Sequence, residues 1–188
     1  MRRKKFCGRL CRGIKIAAAW GIWYTFFIHR RAKRHAVKGR DIHGRQKMQG
    51  DAWRPAQKIH IRGDETKPVL LFLHGGPGVC NRHTVMTVHA DLQKDFLVVA
   101  WDQRGSGGSY KGAAVETLTI DRLVDDAHEL VLWLCKEFHK KKVYLLGGSW
   151  GSELGTWLAY RYPEHVAAFV GFGQVVNGAK NEELSYQF

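Results

Sequence analysis

The apolar positions of this chain change period several times, and each change marks an element. In QKIHIRG, residues 57–63, Ile59 and Ile61 alternate with polar neighbours, as in a strand with one face on a core. PVLLFLH (68–74) and FLVVAW (96–101) are continuous apolar runs bounded by turn residues, the pattern of central parallel strands covered on both faces. The period then becomes 3.6. In the stretch 119–141, Ile120, Leu123, Val124, Ala127, Leu130, Val131, Leu134, Cys135 and Phe138 recur at three and four, which gives one apolar helix face. Acids gather early in that stretch and lysines late, as the helix dipole favours. VYLLGG (143–148) reads as a strand, Ser152 to Tyr160 as a helix stopped by Pro163, and VAAFVGFG (166–173) as another strand. Strands alternating with helices at this spacing predict an α/β fold, a mostly parallel sheet with helices on both faces.

Ahead of this pattern the chain has a different character. Residues 1–50 carry 15 of the 30 Lys and Arg and one acid, Asp41, for a net charge of +14. The remaining 138 residues carry 15 basic and 16 acidic groups, net −1, so the body is near neutral although the whole chain stands at +13. Within the basic segment lies IAAAWGIWYTFFI, residues 16–28, uncharged and flanked by Arg and Lys on both sides. Thirteen residues make about 20 Å of helix, short of the roughly 30 Å hydrocarbon core. No small-residue cleavage site follows, since His29, Arg30 and Arg31 come next, which argues against removal as a secretory signal. Trp20, Trp23 and Tyr24 suit the headgroup boundary and the flanking charge suits anionic lipid. The expected organisation is a membrane-associating leader over 1–35, a linker over 36–55 and the folded domain over 56–188, so that the protein is membrane-associated and otherwise cytoplasmic. The charge has the sign of a nucleic-acid binder, but no folded reading module accompanies it and nucleic acid is not an expected partner. Cys7, Cys11, Cys80 and Cys135 show no metal-ligand spacing, no metal is expected, and Cys135 reads as a buried small apolar residue of the helix.

Candidate chemistry lies at three strand ends. Gly147-Gly148-Ser149-Trp150-Gly151 matches G-x-S-x-G between a predicted strand and a predicted helix, the context in which that motif holds a serine out at a strained corner. The helix that follows offers free backbone N–H groups, Trp150 among them, to a developing oxyanion. His74-Gly75-Gly76-Pro77-Gly78 follows the strand at 69–73, and on a neighbouring strand's loop the Gly76 N–H would serve the same oxyanion. His74 precedes the serine at a strand end and reads as a hydrogen-bonding scaffold residue. DQRGSGGS, residues 102–109, follows the next strand; Asp102 and Arg104 are expected to form a charge pair ordering that loop, and Ser106 and Ser109 lack the corner a nucleophile needs.

HGGPG, DQRGSGGS and GGSWGS, in this order, resemble the α/β-hydrolase fold and in particular the proline iminopeptidase (prolyl aminopeptidase) family, over residues 59–173. The resemblance implies that Ser149 is the nucleophile, that Trp150 and Gly76 donate to the oxyanion, and that a peptide, amide or ester bond is cleaved by acyl transfer to water through an acyl-enzyme, with no metal or organic cofactor. A small peptide or acyl substrate follows. Glu153 and Leu154 depart from the small residues often seen after the serine. Such enzymes order the triad as serine, acid, histidine, yet no Asp follows Ser149 and the one later His is His165, which opens the strand at 166 and reads as a surface residue. Glu153, Glu164, Glu182 and Glu183 lie too close in sequence for the distant acid loop. The chain is therefore expected to be the N-terminal part of a hydrolase, ending before the lid and the last strands, with negligible turnover by itself. Two other readings remain open, a small-acyl esterase or lipase of the same fold and a non-catalytic, membrane-associated interaction protein.

Overall fold

A computed structural model describes residues 57–187 together with the backbone of 42–44. The leader lies outside the described residues. Of the stretch expected as a linker, Ile42–Gly44 is a three-residue strand, β1, and the rest lies outside them too.

The sheet has six strands in the order β1, β2, β4, β3, β5, β6. Strand β2 is Lys58–Arg62, β3 Val69–Leu73, β4 Leu97–Asp102, β5 Val143–Gly148 and β6 Val166–Phe172. Strand β2 runs antiparallel to β1 and to β4, and β3, β4, β5 and β6 are parallel. The two continuous apolar runs, β3 and β4, are buried at every position, as expected of strands covered on both faces.

Alternate residues of these strands feed two cores. Leu71, Leu73, Val99 and Trp101 meet helix α2, Ile120–Glu137, and helix α3, Trp150–Arg161, in the larger one. Phe72, Val98 and Ala100 meet Val85 and Met86 of the short helix α1, Arg82–Thr87, on the opposite face. A last helix, α4, covers Gly178–Ser185 and buries no side chain. The α/β fold with helices on both faces is thus present.

Helix α2 starts at Thr119, whose side chain accepts the Arg122 N–H at 3.2 Å, a satisfied N-cap. Its buried face includes Leu123, Val124, Ala127, Leu130, Val131 and Leu134. Two expected members sit differently. Ile120 is exposed, because it is the first helical residue and projects beyond the packed turn, and Cys135 is only partly buried against the core edge. The expected surface residue His165 is half-buried: its Nδ1 lies 3.2 Å from His128 Nε2, and the His128 ring stacks on Tyr162 with centroids 3.4 Å apart.

His128 is placed so that stability should depend on pH. Burial, and secondarily the neighbouring His165, hold His128 below its ordinary value of 6.5, against the opposing pull of Glu164 and Asp125. A histidine depressed in the folded state takes up its proton more readily when unfolded, so its contribution is complete above that ordinary value and is lost as pH falls. We expect the melting temperature to drop between about pH 7 and pH 5, and His128→Phe, which keeps the stacked ring, to flatten that slope; an unchanged slope would remove His128 as its source.

Candidate active site

The site grows from the carboxyl ends of β3 and β5. Their register pairs Leu73 with Gly147, so the segment that leaves β3 at His74 runs beside the corner Gly148-Ser149-Trp150. Helix α3 starts at Trp150, two residues earlier than the sequence pattern predicts, because the apolar spacing marks the packed turns of a helix and not its first, glycine-containing turn. Ser149 is therefore the residue directly before the helix. It has φ 51° and ψ −125° and is exposed. A non-glycine residue in that region is strained and persists only where its surroundings impose it.

The surroundings do impose it. The Ser149 N–H donates to the Phe172 carbonyl at 3.0 Å, and the Ser149 carbonyl accepts from the Ser152 N–H at 2.8 Å and from Ser152 Oγ at 2.5 Å. Ser152 Oγ in turn accepts the Val175 N–H at 3.0 Å, so the chain leaving β6 is tied to the same corner. A β-carbon on Gly151 would stand 2.0 Å from the Leu73 carbonyl oxygen, and one on Gly147 would stand 2.2 Å from the Gly151 carbonyl oxygen. Both distances are far inside van der Waals contact, and the tight strand-to-helix turn needs glycine at these two positions.

The loop opposite faces the serine. A β-carbon on Gly75 would lie 3.4 Å from Ser149 Cβ, and Gly76 has φ +117°, a conformation that side chains rarely adopt. Pro77 follows Gly76 through a cis peptide. The Val79 N–H closes the loop on the Gly75 carbonyl at 3.2 Å. The Trp150 N–H belongs to the first helical residue, a position with no intrahelical acceptor, so two backbone segments that can donate to an anion flank Ser149.

His74 lies beneath this loop, 1% exposed. Its Nδ1–H donates to the Gly75 carbonyl at 2.9 Å, which leaves Nε2 to accept the Gln103 N–H at 3.1 Å; the tautomer follows from the chemistry of the partners. Burial keeps its pKa below the ordinary value, outweighing the Gly75 bond and the Asp102 charge. A neutral imidazole with both nitrogens engaged holds a loop and has no free site for the Ser149 proton. His165 stands at the other end of the sheet, its carbonyl accepting the Val143 N–H at 2.9 Å, with the length of β5, about 20 Å, between it and the serine.

Asp102 and Arg104 do not pair with each other, contrary to expectation. The chain turns between them, so that Asp102 faces α1, forming a salt bridge with Arg82 and accepting the Gly108 N–H at 2.8 Å. Arg104 faces α2, where its guanidinium donates twice to Asp126, at 2.7 and 2.8 Å. Asp126 also receives Arg122 Nε at 2.9 Å, and Arg122 reaches Glu129 at 3.2 Å. The physical reason is where each side chain is buried: the Arg104 side chain is 2% exposed and meets both oxygens of Asp126 across α2, while Asp102 turns its Oδ2 to Arg82 and the Gly108 N–H on the other side. Asp126 was legible as an acid on the apolar face of α2, three residues after Leu123 and four before Leu130. Gln103 and Ser152 stand within DQRGSGGS and GGSWGS, but nothing in the sequence pointed to the bonds they make.

Ser106 and Ser109 are buried and donate to backbone carbonyls, Ser106 to Gln103 at 2.7 Å and Ser109 to Asp102 at 2.5 Å. Among the described residues, no group of three or more His, Cys, Asp or Glu is placed to hold a metal ion.

A family model described as alpha/beta hydrolase fold matches residues 68–186. A probable aminopeptidase of Bacillus subtilis (strain 168), YbaC, is 41% identical over 133 residues, covering 70% of this chain and 42% of that protein. A proline iminopeptidase of Thermoplasma volcanium is 32% identical over 126 residues, covering 64% of this chain and 41% of that protein. Among solved structures, an epoxide hydrolase of Vigna radiata, VrEH1, superposes with a TM-score of 0.51 at 25% identity, covering 72% of this chain and 39% of that one. The chain spans about two fifths of the length of the curated relatives it matches.

The glycine contacts give a direct test of the corner. Gly151→Ala forces a methyl group against the Leu73 carbonyl and is expected to cost about 3 kcal/mol, read as a lower urea midpoint. Gly178→Ala, where an added methyl meets nothing within 4 Å, is expected to leave the midpoint nearly unchanged. Equal midpoints for the two would contradict the packing described.

Proposed function

The chain belongs to the alpha/beta hydrolase fold family, and from that premise we propose that Ser149 is the nucleophile of an acyl-transfer hydrolase acting on small peptides, most like an aminopeptidase. One observation carries this reading: an exposed serine held at φ 51°, ψ −125° between a glycine loop and a helix N-terminus. In the proposed step, Ser149 Oγ attacks the carbonyl carbon of the scissile bond, the carbonyl oxygen gains the negative charge, and the backbone N–H groups of Gly76 and Trp150 receive it. The proton lost from Ser149 Oγ ends on the leaving nitrogen, so that collapse of the tetrahedral intermediate breaks the C–N bond, expels a neutral amine and leaves an acyl-serine for water to hydrolyse. The preorganised donors contribute because they require no reorganisation as charge develops.

Proton transfer is the weak part of the site. Among the described residues, His74 has both nitrogens engaged and His165 stands at the far end of the sheet. Loss of the base costs several orders of magnitude in turnover, so capture of the serine is a better assay for this chain than steady-state hydrolysis. The aminopeptidase reading draws on the relatives named aminopeptidase and proline iminopeptidase, and a serine at the corner suits acyl transfer from an amide or an ester alike. An esterase of small acyl groups is thus the second reading.

We expect an aryl fluorophosphonate to add one phosphonyl mass at Ser149 and Ser149→Ala to abolish the addition. Modification elsewhere, or labelling that survives Ser149→Ala, would overturn the nucleophile assignment and favour a non-catalytic role. A burst of naphthylamine from prolyl naphthylamide larger than that of nitrophenol from nitrophenyl butyrate supports the aminopeptidase; the reverse order supports the esterase.

A further inference from the structure

Gln103 is 1% exposed and makes its hydrogen bonds to the two segments that flank Ser149. Its backbone N–H donates to His74 Nε2 at 3.1 Å, its side-chain Nε2 donates to the His74 carbonyl at 3.1 Å, and its Oε1 accepts the indole Nε1–H of Trp150 at 3.0 Å. The orientation of the carboxamide is not ambiguous. A carbonyl can only accept and an indole N–H can only donate, so the oxygen must face Trp150 and the nitrogen His74.

The β3–β5 ladder ends at Leu73 and Gly147, one residue before His74 and three before Trp150. Gln103 carries hydrogen bonding across the gap beyond that end. It grips one segment two residues before Gly76 and the other at Trp150 itself. The Gln103 carbonyl accepts Ser106 Oγ at 2.7 Å, so the residue is fixed from its own loop as well.

We propose that Gln103 is a positioning residue that sets the distance between the two backbone donors of the oxyanion pocket. The proposal rests on the reading of Gly76 and Trp150 as those donors. Its physical basis is the tolerance of such pockets. Donors must stand within about 0.5 Å of their productive places, and a displacement of about 1 Å costs on the order of a hundredfold in rate. Backbone amides on two separate loops do not hold that tolerance without a cross-brace. A buried carboxamide suits the task because it presents one donor and one acceptor in a fixed geometry and carries no charge into a dry site.

The test uses the 188-residue chain and the variants Gln103→Glu and Gln103→Met. A protonated glutamic acid reproduces both side-chain bonds, donating its O–H to the His74 carbonyl and accepting from Trp150. The ionised form loses the donor and sets a carboxylate against the carbonyl. The fluorophosphonate labelling rate of Gln103→Glu should therefore match wild type near pH 5 and fall at least tenfold below it near pH 8. Gln103→Met should be slower by roughly ten- to a hundredfold at every pH. Amide hydrogen exchange should speed up at Val79 and Ser152, the hydrogen-bonded amides of the two segments, in the same pH window, while the interior amides of β3, β4 and β5 keep wild-type protection. A rate ratio that ignores pH, exchange that rises in one segment only, or exchange that rises through the whole sheet would overturn the proposal. If wild type takes no label at Ser149, the nucleophile assignment fails and the exchange pattern alone decides the brace. If wild type labels and Gln103→Glu behaves identically, the brace fails and the nucleophile assignment stands.

Discussion

The backbone of Gly151 runs so close to the end of β3 that a β-carbon there would stand 2.0 Å from the Leu73 carbonyl oxygen. Everything at the corner depends on that approach. It brings the first turn of α3 onto the carboxyl edge of the sheet, which forces the chain to reverse between Gly148 and Trp150. The reversal leaves Ser149 in a strained conformation with its side chain exposed. The strain is held by the bonds from Ser149 to Phe172 and Ser152 and by the packing of Leu154 and Leu158 in the core beneath. Stability gained in the sheet and helices thus sustains an unfavourable backbone at one residue, the arrangement expected where geometry serves chemistry.

Around this corner the polar groups are organised in two tiers. Near the serine, His74 and Gln103 are buried and neutral, and they connect loop to loop without charge. Farther out, Arg104 and Arg122 meet Asp126 in a buried ionic cluster that pins the loop after β4 to α2, while Asp102 and Arg82 pin the same loop to α1. Removing one member of such a cluster leaves an uncompensated buried charge, so the loop that carries Gln103 is held from both faces of the sheet. The neutral tier sets fine geometry and the charged tier anchors it.

Strands β2 to β6 and α2 were legible in the sequence because burial writes itself into periodicity: β3 and β4 are unbroken apolar runs, and α2 repeats at three and four, whereas the three residues of β1, Ile42–Gly44, are too few to show a period and fell in the expected linker. The serine corner was legible because glycines at 147 and 151 around Ser149 have few other uses between a strand and a helix. The ion pairing was not. Asp102 and Arg104 are near neighbours in sequence, and their separate partners, Arg82 and Asp126, come together only through the packing of helices on opposite faces. Helix α3 begins earlier than its apolar spacing suggests because its first turn contains Gly151 and packs through backbone. Gln103 was visible only as one residue of DQRGSGGS, with nothing to mark its role, since a glutamine in a loop reads as a solvated residue until the fold closes over it.

We propose that corner and loop together can stabilise an oxygen anion beside Ser149. That role is tested most directly by a crystal structure of the chain after reaction with an aryl fluorophosphonate. We expect the phosphorus bonded to Ser149 Oγ and its phosphoryl oxygen within about 3 Å of both the Gly76 and Trp150 backbone nitrogens, the separation an oxyanion pocket requires. A phosphoryl oxygen turned to solvent, with neither nitrogen in reach, would contradict it.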